Sequence, residues 1–184
     1  MTAGLWDRLR AAQFRAVRRI VVIAVAALVG LFQVFGSLGL RINTSLSLPI
    51  GLYITTTDSG ADLVEFCPAE PSATLAIVRG YRDRGSCKDG AAPLMKPEIA
   101  KSGDVVDLSA RGISANGVLL ANTAPLSRDT KGRLLEPWPF GYYVVSPGTV
   151  WVASSYHPRS FDSRYFGPIS TTAIRHRVRA LLTF

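Results

Sequence analysis

Ser47 lies in the stretch Asn43-Thr44-Ser45-Leu46-Ser47-Leu48-Pro49-Ile50-Gly51-Leu52-Tyr53. Pro49 fixes its own φ and steers Leu48 away from the α region, while Gly51 admits backbone geometry closed to other residues. A restrained turn of this kind presents a hydroxyl, and the chemistry open to it is nucleophilic attack on a carbonyl once a base has taken its proton. Ser, Pro and Gly side by side also make ordinary turns, so the identity of the base is decisive.

Two kinds of base are available. His157 and His176, with Asp162, allow a Ser-His-Asp triad to be written down. However, His157 precedes a proline in a polar loop and His176 sits among arginines, where a structural role fits as well. The chain contains only four lysines, at 88, 96, 101 and 131. Lys96 alone falls in a mostly apolar segment, Ala91-Ala92-Pro93-Leu94-Met95-Lys96-Pro97-Glu98-Ile99-Ala100. Apolar surroundings would desolvate its ammonium and lower its pKa, so that the neutral amine accepts a proton; the competing reading is a strand lysine that snorkels to water. No Cys/His cluster or CxxC spacing suggests a metal, and no cofactor is expected.

These groups must be positioned by a chain of 184 residues, enough for one membrane segment and one domain. From Ile20 to Leu40 there is no charge, and the length matches the roughly 20 residues that cross a bilayer as a helix. The expected organisation is therefore a basic cytoplasmic flank over 1–19, a transmembrane helix over 20–40, and an exported domain over 41–184. An export signal would have a shorter apolar core and a small-residue cleavage site, whereas here the chain continues Leu40-Arg41-Ile42-Asn43. The flank reads as a short amphipathic helix with Leu5, Trp6, Leu9, Phe14 and Val17 beside its arginines.

The formal charge of +8 does not point to nucleic acid. Arg8, Arg10, Arg15, Arg18 and Arg19 all precede the apolar run against Asp7 alone, the asymmetry that keeps an N-terminus in the cytoplasm. The exported domain would then meet an oxidising compartment, where Cys67 and Cys87 either pair across about twenty residues or remain two thiols.

After the span, short apolar runs separated by Gly, Pro, Asn and Asp predict a mainly β domain. Strands are expected over 51–56, 62–66, 75–79, 94–96, 105–109, 112–114, 118–121, 141–145, 150–154 and 172–182. Asn116-Gly117 predicts a type I′ hairpin turn, Ser146-Pro147-Gly148 a second turn, and residues 127–140 a surface loop. The last strand carries Arg175, Arg177 and Arg179 on one face, a solvated edge or a contact for anionic headgroups.

Three segments together resemble one family. The Asn-x-x-x-Ser-x-Pro-x-Gly-x-Tyr pattern of 43–53 is similar to the signature of the TraF-type conjugative transfer peptidases, within the type I signal peptidase family of membrane-anchored Ser/Lys proteases. Lys96-Pro97-Glu98-Ile99-Ala100-Lys101-Ser102-Gly103-Asp104-Val105-Val106 resembles that family's lysine box, and Phe161-Asp162-Ser163-Arg164-Tyr165-Phe166-Gly167-Pro168 its closing box.

The resemblance implies a signal-peptidase-like, β-rich catalytic domain behind one N-terminal transmembrane helix. It implies Ser47 as nucleophile with Ser45 as the alternative, Lys96 as general base, and Ser45 as a hydroxyl that helps the Ser47 N–H hold the oxyanion. Asp162 and Arg164 become a supporting ion pair, and Gly103 and Asp104 shape the turn after the lysine strand. The implied substrate is a pilin-like, membrane-inserted precursor, with the inner membrane and other conjugative transfer proteins as further partners and the catalytic domain in the periplasm.

Leu48 directly after Ser47, the two-residue step to Pro49, and Ser154-Ser155-Tyr156-His157-Pro158-Arg159 in place of a Gly-Asp-Asn-Arg lead-in all depart from general signal peptidases. They favour the conjugative branch. The rival readings are a general signal peptidase and a non-catalytic component of a transfer apparatus.

Overall fold

The computed structural model describes residues 3–184; within the first helix it describes the side chains of 10, 13–30, 33, 34 and 36. The chain divides into two compact units, the first ending at Leu40 and the second running from Arg41 to Phe184. In the first, α1 runs unbroken over Ala3–Ser37. From Ala3 on, the segments expected over 1–19 and 20–40 thus run together as one helix, which ends at Ser37. Gly39 causes the stop: it adopts φ of 75°, and its N–H closes the last turn on Gly36 O. Among the described residues no helix is long and apolar enough to cross a membrane. Several side chains of the expected span, and those of Leu5, Trp6 and Leu9, lie outside the ones described.

The second unit is mainly β. Its strands are β1 (Leu40–Asn43), β2 (Gly51–Thr56), β3 (Leu63–Phe66), β4 (Leu94–Lys101), β5 (Val105–Ser109), β6 (Gly112–Ala115), β7 (Val118–Leu119), β8 (Gly141–Val144), β9 (Thr149–Val152), β10 (Ile169–Ser170) and β11 (Ile174–Thr183). Two short helices, α2 (Ser72–Val78) and α3 (Ser163–Phe166), interrupt them. A seven-stranded sheet has the order β1-β2-β11-β3-β4-β9-β10, and a four-stranded sheet has the order β7-β6-β5-β8. The C-terminal strand β11 is inserted between β2 and β3, pairing antiparallel with both.

Apolar alternation supplies the core. Val106, Leu108, Ile113 and Trp151 pack together with Ala100 and Ala153, and Val64, Phe66, Val150, Val152 and Ile169 form a second cluster. A third cluster, Leu48, Tyr53 and Val178, bears directly on the Ser47 turn and packs against Met95, the neighbour of Lys96.

The β expectation fails over 75–79: residues 75–78 belong to α2 and Arg79 is its C-cap. Pro71 stands at the helix N-cap, Glu70 accepts from the Thr74 N–H and hydroxyl, and Ala73 and Ala76 are buried at helical spacing. Burial of that face overrides the β preference of Leu75, Ile77 and Val78. The strand expected to end at Lys96 instead continues to Lys101, because Ala153 N–H donates to Pro97 O at 3.0 Å and keeps β4 paired past the proline. Asn116 and Gly117 take φ of 49° and 82°, as a type I′ turn requires.

Cys67 and Cys87 form a disulfide that closes a loop of 20 positions and ties the end of β3 to the segment leading into β4. Replacing both cysteines with serine should lower unfolding stability by about 3 kcal/mol in the chain-entropy model. Urea titration of the serine pair against the oxidised parent measures this. A loss well under 1 kcal/mol would show that the remaining contacts hold the loop unaided.

Candidate active site

The turn between β1 and β2 is built around the Asn43 side chain. Its Nδ2 donates to Ser45 O at 2.9 Å, Leu48 O at 3.1 Å and Pro49 O at 3.0 Å, and its Oδ1 accepts from Ser45 N at 3.2 Å. Tyr53 OH, almost fully buried, donates to Pro49 O at 2.7 Å. Gly51 is required by close approach: a Cβ there would run into Leu182 O on the adjacent β11. The Asn, Pro, Gly and Tyr of the sequence pattern therefore all hold one loop, and that loop presents Ser47.

Ser45 and Ser47 are coupled. Ser47 N–H donates to Ser45 Oγ at 3.2 Å, and Ser45 Oγ donates to Ser47 Oγ at 3.2 Å. Ser45 Oγ thus lies beside both the hydroxyl and the backbone N–H of Ser47. Ser154 Oγ donates to Ser47 O.

Lys96 lies within β4 opposite Val64 of β3 and is only 3% exposed. Burial pushes its ammonium down to about 8 from the usual 10.5; the Asp162 carboxylate opposes this and the Arg164 guanidinium adds to it. The lysine is not left to snorkel. Gly103, at φ of 90°, and Asp104 end the strand: Asp104 accepts from Lys101 N at 2.8 Å and from Asn116 Nδ2 at 2.9 Å.

Asp162 and Arg164, both with fully buried side chains, form a two-pronged ion pair at 2.8 and 2.9 Å. Arg164 also donates to Ser160 O at 2.8 Å and Pro158 O at 3.1 Å, while Asp162 accepts from Ser154 N at 3.1 Å. The carboxylate is thereby committed to Arg164 and Ser154. His157 Nδ1 is occupied by Arg159 N–H at 3.1 Å, and His176 is exposed on β11 opposite Glu65. The triad written with Asp162 and a histidine is therefore not assembled.

Ser154 lies two residues past the end of β9, the strand that neighbours the Lys96 strand, so the short segment Ala153-Ser154 touches the Ser47 turn, the lysine strand and the ion pair. Sequence reasoning gave Ser154 no role. The one available signal was a hydroxyl at the end of the apolar run Val150-Trp151-Val152-Ala153.

The mainly β unit thus carries a restrained serine turn, a buried lysine and a buried Asp-Arg pair. The family model for signal peptidase, peptidase S26, matches residues 13–183, and the chain belongs to that family. It is 36% identical over 150 residues to a plasmid transfer protein TraF of Escherichia coli, covering 79% of this chain and 84% of that one. It is 34% identical over 176 residues to the conjugal transfer protein TraF of Agrobacterium fabrum, covering 92% and 97% respectively. Among solved structures, a signal peptidase I of Enterococcus faecalis superposes with a TM-score of 0.36 at 16% identity, over 70% of this chain and 99% of that one.

Proposed function

We propose that this chain is a serine endopeptidase of conjugative transfer, in which Ser47 is the nucleophile and Lys96 the general base, acting on an exported pilin-type precursor. The observation that carries the reading is Lys96: an amine almost fully buried, with its pKa lowered to about 8, on a strand adjoining the segment that bonds the Ser47 turn. Lys96 takes the Ser47 Oγ proton, and Oγ attacks the scissile carbonyl. The Ser47 N–H and the Ser45 hydroxyl hold the oxyanion once the hydrogen bonds between these two residues give way to the substrate. Donors so placed are typically worth 10²- to 10³-fold in rate. Lys96 then returns the proton to the leaving amine. The acyl-enzyme passes to water, giving a cut chain, or to the substrate's own N-terminal amine, giving a cyclic one.

The apolar run of α1 anchors the enzyme in the inner membrane, with the arginines on the cytoplasmic side and the catalytic unit in the periplasm. Exposed apolar side chains beside the site support a position close to the bilayer. Leu46 and Ile50 flank Ser47 in the turn, and Leu182 and Phe184 of the neighbouring chain end lie at its Ile50–Leu52 side, Phe184 N–H donating to Ile50 O. A precursor embedded in the same membrane then meets the nucleophile without leaving the surface.

Ser47→Ala should lower processing of the precursor pilin by about 10⁴-fold or more, read as the mass of the product. Undiminished processing would sink the peptidase reading, and a general build-up of secretory precursors would assign housekeeping signal cleavage instead. A product lighter by one water than the linear chain identifies cyclisation.

A further inference from the structure

Ser154 stands where three parts of the site meet. Its backbone N–H donates to Asp162 Oδ2 at 3.1 Å, its Oγ accepts from Tyr156 N at 3.1 Å, and the same hydroxyl gives its only proton to Ser47 O. It is wholly buried, and the preceding residue, Ala153, bonds Pro97 O next to Lys96. A serine hydroxyl has one proton to give. With Tyr156 N–H supplying the bond that Oγ accepts, the rotor is set to donate, and the acceptor is the carbonyl of the proposed nucleophile.

Building on the proposed peptidase reading, we infer that Ser154 is a positioning residue that sets the backbone of Ser47 relative to Lys96 and passes the rigidity of the Asp162–Arg164 pair to the nucleophile turn. Asn43 and Tyr53 already hold the carbonyls of Ser45, Leu48 and Pro49. Those bonds fix the turn to itself and to β1 and β2. The Ser154 bond instead runs to the β4–β9 side of the sheet, where Lys96 resides. Fixing the Ser47 carbonyl fixes the plane of its peptide group and so aims its Oγ. Displacement of a reacting group by about 1 Å costs on the order of 10²-fold in rate. Asp162 acts on Ser47 through this relay without touching it: the carboxylate is held by Arg164, the Ser154 N–H is held by the carboxylate, and the Ser154 hydroxyl holds the turn.

The test uses the full-length, detergent-solubilised chain and a peptide spanning the precursor cleavage site, comparing Ser154→Ala, Ser154→Thr and Ser47→Ala with the parent. Ser154→Ala should lower kcat by 10- to 100-fold with KM within about twofold. The alkaline plateau of its pH profile should begin at the same pH as in the parent, because Lys96 stays buried. Ser154→Thr, which keeps the donor, should recover at least half of the lost kcat.

Parental kcat in Ser154→Ala overturns the inference. So does a loss that Ser154→Thr shares equally and that comes with a plateau moved to higher pH, since that pattern means opening of the core around Lys96. If Ser154→Ala does not fold, Ser154→Thr and Ser154→Cys decide: kcat that follows donor strength, Ser, then Thr, then Cys, supports the relay, and equal kcat in all three overturns it. Ser47→Ala separates the two levels of failure. If it retains activity the peptidase reading falls, whereas an inactive Ser47→Ala beside a fully active Ser154→Ala removes only the role of Ser154.

Discussion

Replacing Lys96 with Met should abolish most activity while making the protein more stable. General bases contribute about 10² to 10⁴ in rate, so a loss of that order in kcat/KM is expected. The gain in stability follows from the same burial. Desolvation puts the Lys96 pKa at about 8 in the folded chain against 10.5 when exposed. Between these values the unfolded state binds the proton that the native state has released, so stability rises with pH through that window. The cost is fully present below about pH 8. A shift of this size corresponds to about 3 kcal/mol, and a methionine of similar length removes the charge without opening a cavity. Because Asp162 keeps Arg164 as its partner, the substitution strands no carboxylate.

The pH dependence of the parent has a definite sign. Only the neutral amine accepts a proton, so kcat/KM should climb about tenfold per pH unit below 8 and level off above it. A rate profile over pH 5.5–10 combined with urea midpoints of both proteins checks this. A limb near pH 6.5 would name a histidine instead, and a Lys96→Met chain that cleaves at the parental rate would remove Lys96 from the chemistry.

The second large effect belongs to Arg164. Its guanidinium and the Asp162 carboxylate are fully buried, bonded on two edges, and further tied to Ser160 O, Pro158 O and Ser154 N. Removing one partner leaves the other as an uncompensated buried charge, which typically costs 3–5 kcal/mol, so Arg164→Ala should destabilise the domain by about 4 kcal/mol. Replacing both members, as Asp162→Asn with Arg164→Met, should cost much less, because no unpaired charge remains.

Lys96 reports the same change through its titration. Arg164 lowers the Lys96 pKa and Asp162 raises it. Arg164→Ala should therefore move the rate limb to higher pH, and Asp162→Asn should move it lower. Urea midpoints and rate limbs of the three variants test the pair; equal stability in Arg164→Ala and the double variant would contradict a buried ion pair of this kind.

The candidate site was legible in the sequence where residue type dictates backbone geometry. Pro49 and Gly51 marked the Ser47 turn because φ restriction and a backbone geometry closed to other residues leave few alternatives, and Asn116-Gly117 announced its hairpin because a type I′ turn needs positive φ at both positions. Lys96 was legible for a related but incomplete reason. Its apolar flanks suggested desolvation, yet Leu94, Met95, Pro97 and Ile99 are themselves only half-buried. What covers the lysine is the pairing of β4 between β3 and β9, a property of the sheet.

Segments whose state depends on what they pack against were misjudged. The run Leu75-Ala76-Ile77-Val78 has strand composition, but Ala73 and Ala76 face the interior on a helical period and α2 forms. Residues 40–43 carried no strand signal of their own; β1 forms at the sheet edge beside β2.

By itself, then, the sequence determined the inventory: a serine in a stiff turn, one lysine in apolar surroundings, an Asp-x-Arg segment, and an apolar run beside arginines, each encoded in one continuous stretch of chain. Only the tertiary structure decided how these meet. Ser154 and Ser47 are 107 positions apart, and the C-terminal strand β11 enters the sheet between two strands from the start of the domain. The physical reason is range: steric limits on φ and side-chain polarity act within a few residues, whereas hydrogen bonds and desolvation across a sheet depend on which distant strands become neighbours.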